Sequence, residues 1–129
     1  MSYRTTFGKI MSEKFREVLY FKNYFREFLE SQQKRVIKKI VWTLDLVEKI
    51  QFPSEQYLKK LGGTDGLYEI RVVSDGDIFR IFCFFDEGKL IVLMSGFQKK
   101  TQKTPPREIE KALEIKKEYY AEKKKSNLA

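Results

Sequence analysis

The sequence predicts one α+β domain: an antiparallel meander sheet packed by two N-terminal helices and a C-terminal helix. Three observations carry this. Between Leu67 and Phe97, three apolar segments are separated by Ser74-Asp75-Gly76-Asp77 and Asp86-Glu87-Gly88-Lys89, the pattern of strands joined by hairpin turns. Upstream, Val36, Ile40, Leu44 and Val47 recur at helical spacing, and Ile37 and Val41 widen the stripe. Downstream, Thr104-Pro105-Pro106 opens a segment whose Ile109, Ala112, Leu113 and Tyr120 mark one side of a helix.

Met1–Glu13 has no clear period and is expected to be a flexible extension. Phe15–Phe21 alternates in part and reads as a first strand, although Arg16 and Glu17 would also suit a helix. Asn23–Glu30 is a short helix and Gln33–Ile50 a longer one, joined near Ser31 as a helical hairpin. Lys34, Arg35, Lys38 and Lys39 crowd the face of the longer helix opposite its apolar stripe. Phe52-Pro53 ends that helix, because a residue before proline avoids helical ψ. Lys59–Gly66, with glycine at 62, 63 and 66, reads as a turn.

Leu67–Val73 is the first meander strand, with Leu67, Glu69, Arg71 and Val73 on one face and Tyr68, Ile70 and Val72 on the other. Ile78–Phe85 is apolar except for Arg80 and needs helices over it, since an uncovered strand of this kind would aggregate. Leu90–Phe97 is the last strand. Thr104 then reads as an N-cap and Pro105 as the first helical residue. The helix is expected to run to about Glu122, leaving 123–129 as a frayed tail and 14–122 as the folded domain.

The composition narrows the function. There are 26 Lys and Arg against 18 Asp and Glu, a net charge of +8, which favours an acidic partner such as nucleic acid. From Ser95 to Ala129 ten basic residues face five acidic ones, so most of the excess lies in the last quarter. The chain has no histidine, which excludes Ser-His-Asp triads, Cys-His pairs and His-based acid–base catalysis. Its single cysteine, Cys83, allows neither an internal disulfide nor a thiolate metal site. Met1–Lys14 lacks an apolar core of signal-peptide type, and no apolar run approaches a membrane span, so a cytoplasmic protein with no membrane partner is expected.

The segment Gly96–Pro106 holds three lysines, two threonines and two glutamines and no acid. Ammonium, hydroxyl and amide groups of this kind suit phosphate oxygens, and the helix that follows adds a dipole of the right sign. The plain alternative is a solvated basic loop. Arg80 is the second clue: a guanidinium in an apolar strand must reach either a carboxylate or the sheet rim. Arg71, on the neighbouring strand, can share its cleft. Alternatively, either arginine forms a structural pair with Glu69, Asp77 or Glu87. Cys83 reads as a small buried side chain, and the Phe-rich stretches 21–28 and 79–85 as core.

Leu58–Pro105 also resembles a known family, the HigB-like, phage-derived branch of the RelE/ParE toxin superfamily. The resemblance rests on the approach from Leu58 to Gly63, on Leu67-Tyr68-Glu69-Ile70-Arg71, on Phe79-Arg80-Ile81-Phe82, and on Gly96-Phe97-Gln98-Lys99-Lys100-Thr101-Gln102-Lys103-Thr104-Pro105. It implies a RelE-like fold and the toxin of a type II toxin–antitoxin system. Such a toxin is a metal-independent mRNA endoribonuclease that acts at the ribosomal A site, needs no cofactor, and is silenced by a helix-turn-helix antitoxin of HigA type. The ribose 2′-hydroxyl attacks the adjacent phosphate. On matching positions, Arg71, Arg80, Lys99 and Lys103 become the catalytic candidates. Lys59, Lys60, Lys100, Thr101, Gln102 and Arg107 become RNA-binding candidates, and Glu69 an alternative general base. The superfamily also contains ParE-like inhibitors of DNA gyrase. A gyrase inhibitor, or an inactive phage-derived protein that binds RNA or a partner, is therefore the competing expectation.

Overall fold

The turn at Asp75-Gly76 sets the register of the sheet. Both residues have positive φ, 49° and 87°, which matches the twist of two flanking strands and favours Asp-Gly over bulkier pairs. Ser74 therefore pairs with Asp77, and β3 (Tyr68–Ser74) runs antiparallel to β4 (Asp77–Asp86). Glu87 and Gly88 repeat the positive-φ pattern, and Asp86 pairs with Leu90 to start β5 (Leu90–Lys99). In this computed structural model, which describes residues 14–128, the strand order is β1-β5-β4-β3-β2. The expected extension Met1–Glu13 lies outside the described residues.

The meander is extended at both edges. β2 (Leu58–Lys60) pairs antiparallel with β3, so the first part of the expected Lys59–Gly66 turn is a strand. Three residues are too few to show a period of two, and the nearby glycines masked it. β1 (Glu17–Tyr20) pairs parallel with β5, which makes the sheet mixed rather than wholly antiparallel. Arg16 holds the approach to β1 in place: its guanidinium donates to the carbonyls of Val47, Ile50 and Gln51 at a helix C-terminus.

Helices cover both faces. α1 (Tyr24–Glu30) and α2 (Lys34–Lys49) lie over Ile70, Val72, Phe79, Ile81, Cys83, Ile91 and Leu93. α3 (Pro106–Leu128) lies over Leu67, Phe82, Phe84, Val92 and Met94 through Ala112 and Ile115. This double cover explains why β4 is apolar on both sides. Each buried Phe, Ile or Leu contributes about 1.5–3 kcal/mol of transfer free energy.

Two details of packing shape the site end. The β4–β5 register slips between Ile81 and Cys83, so β5 carries an extra residue near Ser95. Beyond the bulge, a Cβ added to Gly96 would lie 2.5–2.8 Å from ring carbons of Phe28. Only glycine lets that ring of α1 lie on the strand.

α3 differs from expectation at both ends. It begins at Pro106 rather than Pro105, and the Pro105 carbonyl accepts the first bonds, from the amides of Glu108 and Ile109. Thr104 is therefore not the residue before the first helical one. The helix also continues past Glu122 to Leu128, through the expected frayed tail. Lys123 supplies the reason: its Nζ lies 2.8 Å from Oδ2 of Asp86, which also accepts from Tyr119 at 2.7 Å. Asp86 is buried at the end of β4. Burial alone would push its carboxyl up, but the hydrogen bonds from Lys123 and Tyr119 prevail and hold it below the usual range.

Candidate functional site

The side-chain period of two places Glu69 and Arg71 of β3, Ile78 and Arg80 of β4, and Phe97 and Lys99 of β5 on one face. This is the face that α3 covers, but α3 rests on Phe82, Phe84 and Leu67, nearer the other end. The uncovered part forms a cleft of about 460 Å³ lined by Ile78, Arg80, Lys99, Lys100, Thr101 and Gln102.

Arg71 and Arg80 stand directly opposite each other. Two like charges in that position repel. Glu69 offsets the repulsion: its Oε1 is 3.4 Å from Nε of Arg71 and 3.5 Å from Nε of Arg80. Glu69 is 3% exposed and Arg80 6%. Burial first, and then Arg71, pull the Arg80 guanidinium below its ordinary range, while Glu69 acts in the opposite sense. Arg80 donates from Nη1 to the Phe79 carbonyl at 3.1 Å, and Arg71 from Nη1 to the Glu55 carbonyl at 3.2 Å. These contacts fix the planes of both guanidinium groups. Among the described residues, Glu69 Oε2, Arg80 Nε and Ser95 Oγ are buried without a hydrogen-bond partner.

The two open alternatives for Arg80 thus coexist: it pairs with Glu69 and also lines the cleft. Lys99, expected in a loop, is the last residue of β5 and sits opposite Ile78. The loop proper is Lys100–Pro105. In it the Thr101 hydroxyl donates to the Lys103 carbonyl at 2.8 Å and folds the loop on itself.

The remaining candidates are distributed unevenly. Lys59 stands opposite Glu69 and so shares the arginines' face, whereas Lys60 stands opposite Tyr68 on the other face. Lys103 is exposed and does not line the cleft. Arg107 lines a different groove of about 940 Å³ along α3, shared with Glu110, Glu114 and Tyr120. Lys111, Lys116 and Lys117 line it too, but three acids, Asp65, Glu110 and Glu114, stand among these four bases, so its charge is mixed. Ile78 was not anticipated as a cleft wall, although its parity with Arg80 carries the signal. Burial pushes the Cys83 thiol up, so it stays protonated. Among the described residues, no group of three or more Cys, Asp and Glu is placed to hold a metal ion.

Such an arrangement can receive an anion. A guanidinium lies in the cleft with two ammonium groups beside it, and Ile78 forms an apolar wall.

The model of the family described as "Phage derived protein Gp49-like (DUF891)" matches residues 27–117. The crystal structure of the archaeal RelE–RelB complex from Pyrococcus horikoshii OT3 is similar at a TM-score of 0.49 and 22% identity, covering 65% of this chain and 94% of that one. No curated protein matches the sequence.

Proposed function

The chain belongs to the Gp49-like family of phage-derived proteins, and from that premise we propose that it is the toxin of a type II toxin–antitoxin system. In this reading it is a HigB-like, metal-independent endoribonuclease that cuts mRNA in the ribosomal A site of the cytoplasm, and a helix-turn-helix antitoxin of HigA type silences it. One observation supports the chemistry above others: a buried, pre-oriented Arg80 at the back of a cleft whose mouth carries Lys99 and Lys100.

The ribose 2′-hydroxyl gives its proton to water as its oxygen attacks phosphorus, the bond to the 5′-oxygen breaks and that oxygen takes a proton from a lysine, and a 2′,3′-cyclic phosphate and a 5′-hydroxyl result. Arg80 binds the non-bridging oxygens as charge builds on them, and Arg71, which stands opposite it on β3 but does not line the cleft, adds its positive field. In this reading Lys99 protonates the leaving 5′-oxygen, and Lys100 and Gln102 hold the neighbouring phosphate. Glu69 serves as counter-ion to both arginines rather than as general base, because its carboxylate is buried between them.

Burial also decides which variants test the proposal. Arg80→Ala would leave Glu69 buried and poorly compensated, so its loss of toxicity would be confounded with loss of folding. Lys99→Ala with Lys100→Ala avoids this, because neither lysine forms an ion pair among the described residues. Primer extension on cellular mRNA after induction should show codon-phased cuts with wild type and none with the double variant, at unchanged thermal unfolding. Intact mRNA accompanied by DNA-damage signalling would replace this reading with gyrase inhibition.

A further inference from the structure

The charged face of α2 is not used by the cleft. It lies on the opposite side of the sheet, and its residues form a stripe: Lys34, Lys38, Val41 and Trp42 are spaced so that they share one side of the helix. The buried side of α2 is already filled by Val36, Ile40, Leu44 and Val47. Val41 and Trp42 are nevertheless 49% and 48% exposed, and Val73, at the end of β3, is 54% exposed. A groove of about 550 Å³ lies here, with Arg35, Lys38, Lys39, Trp42, Val73 and Asp75 on its walls.

We propose that this face of α2, centred on Trp42, is a docking surface for an acidic amphipathic helix of a partner protein. Charge complementarity identifies the occupant. One acid, Asp75, lies among the groove's three basic residues, 3.7 Å from Arg35, which also holds Asp77 at 2.8 Å. Lys34 and Lys38 have no carboxylate partner among the described residues. The exposed apolar pair Val41 and Trp42, edged by Lys34 and Lys38, fits a helix with one apolar face and glutamates or aspartates beside it. Nucleic acid fits less well. Base stacking needs a free aromatic face, and Lys39 Nζ sits 4.4 Å over the Trp42 ring while the Tyr57 ring lies against it at 6.0 Å. The proposal does not depend on RNA cleavage, because the arginine cleft lies on the other face of the sheet.

Trp42 is the only tryptophan, so its emission reports on this surface directly. Three probes are titrated into the full chain: a synthetic amphipathic helix of leucine and glutamate, the same peptide with lysine replacing glutamate, and a single-stranded RNA oligonucleotide. The glutamate peptide should shift the emission to the blue in a saturable manner, and the lysine peptide should not. Lys38→Glu should weaken binding about tenfold, and Val41→Asp should abolish it. Both variants should unfold at the wild-type temperature, since both positions are exposed. The proposal is overturned by any of three results: no saturable shift with the glutamate peptide, an equal response to the lysine peptide or to RNA, or unchanged affinity in Lys38→Glu.

Discussion

Replacing Glu69 by Met tests how the paired arginines are held. The substitution removes the carboxylate that lies 3.4 Å and 3.5 Å from the two Nε atoms, the one so placed among the described residues, and leaves two guanidinium groups facing each other. Breaking a buried ion pair by deleting one partner costs about 3–5 kcal/mol. The Arg71 side chain is 27% exposed and water screens part of its charge, which places the expected cost near the low end, about 3 kcal/mol. For a domain of this size that corresponds to a fall in Tm of roughly 10 °C. Urea unfolding followed by circular dichroism measures the cost. The paired variant Glu69→Met with Arg80→Met should recover part of it, with a coupling of about 1–3 kcal/mol. If Glu69→Met costs less than about 1 kcal/mol, or if the two single costs simply add, Glu69 is not the counter-ion and the account of the cleft's rear wall fails.

Other outcomes follow from neighbouring features. Asp86 has a folded-state pKa below its unfolded one, so the folded state binds fewer protons in that window. Its contribution is complete above the ordinary aspartate range and is lost as pH falls through the depressed value; Asp86→Asn should flatten that acid limb and lower stability at neutral pH. Tyr119, raised to about 12 mainly by burial and then by Asp86, works in the opposite sense. Its contribution is complete below the ordinary tyrosine value and is lost as pH rises toward about 12. Tyr119→Phe should remove that alkaline loss in pH-dependent unfolding. Gly96→Ala should cost about 1–3 kcal/mol in thermal unfolding through its clash with Phe28, and a wild-type Tm would disprove the close approach. RNA affinity should fall steeply with salt, and Lys100→Ala should reduce the slope of log K against log salt by roughly one. An unchanged slope would remove Lys100 from the phosphate contacts.

What the sequence revealed, and what it hid, follows from the range of the interactions. Asp75-Gly76 announced its hairpin because a positive-φ pair is a local property. The long apolar run of β4 announced its double cover because both of its faces had to be apolar. Arg80 was visible as an interruption. That it pairs with Glu69 rather than Asp77 or Glu87 depends on register, so the alternatives stayed open until β3 and β4 were aligned. β2 and the parallel partner of β1 were hidden for the same reason, as each depends on a distant strand. The end of α3 was misjudged because a lysine run reads as a solvated tail unless the Asp86 that receives Lys123 is known. In the lysine-rich segment, composition identified Lys99, Lys100, Thr101 and Gln102, but could not separate them from Lys103 and Arg107, which do not line the cleft.

The parallel pairing of β1 with β5 has a consequence in time. Glu17 meets Leu90 across roughly seventy residues of chain, a loop whose closure entropy must be met before the contact returns anything. The meander closes through turns of a few residues, and such local contacts form faster. The cleft is built wholly within the meander and the loop after it. It should therefore assemble early in refolding, with β1 adding last as a strap along the outer edge. Amide exchange during refolding should protect β3 and β4 before Val18–Tyr20, and a variant that loosens β1 should speed unfolding while leaving the folding rate nearly unchanged.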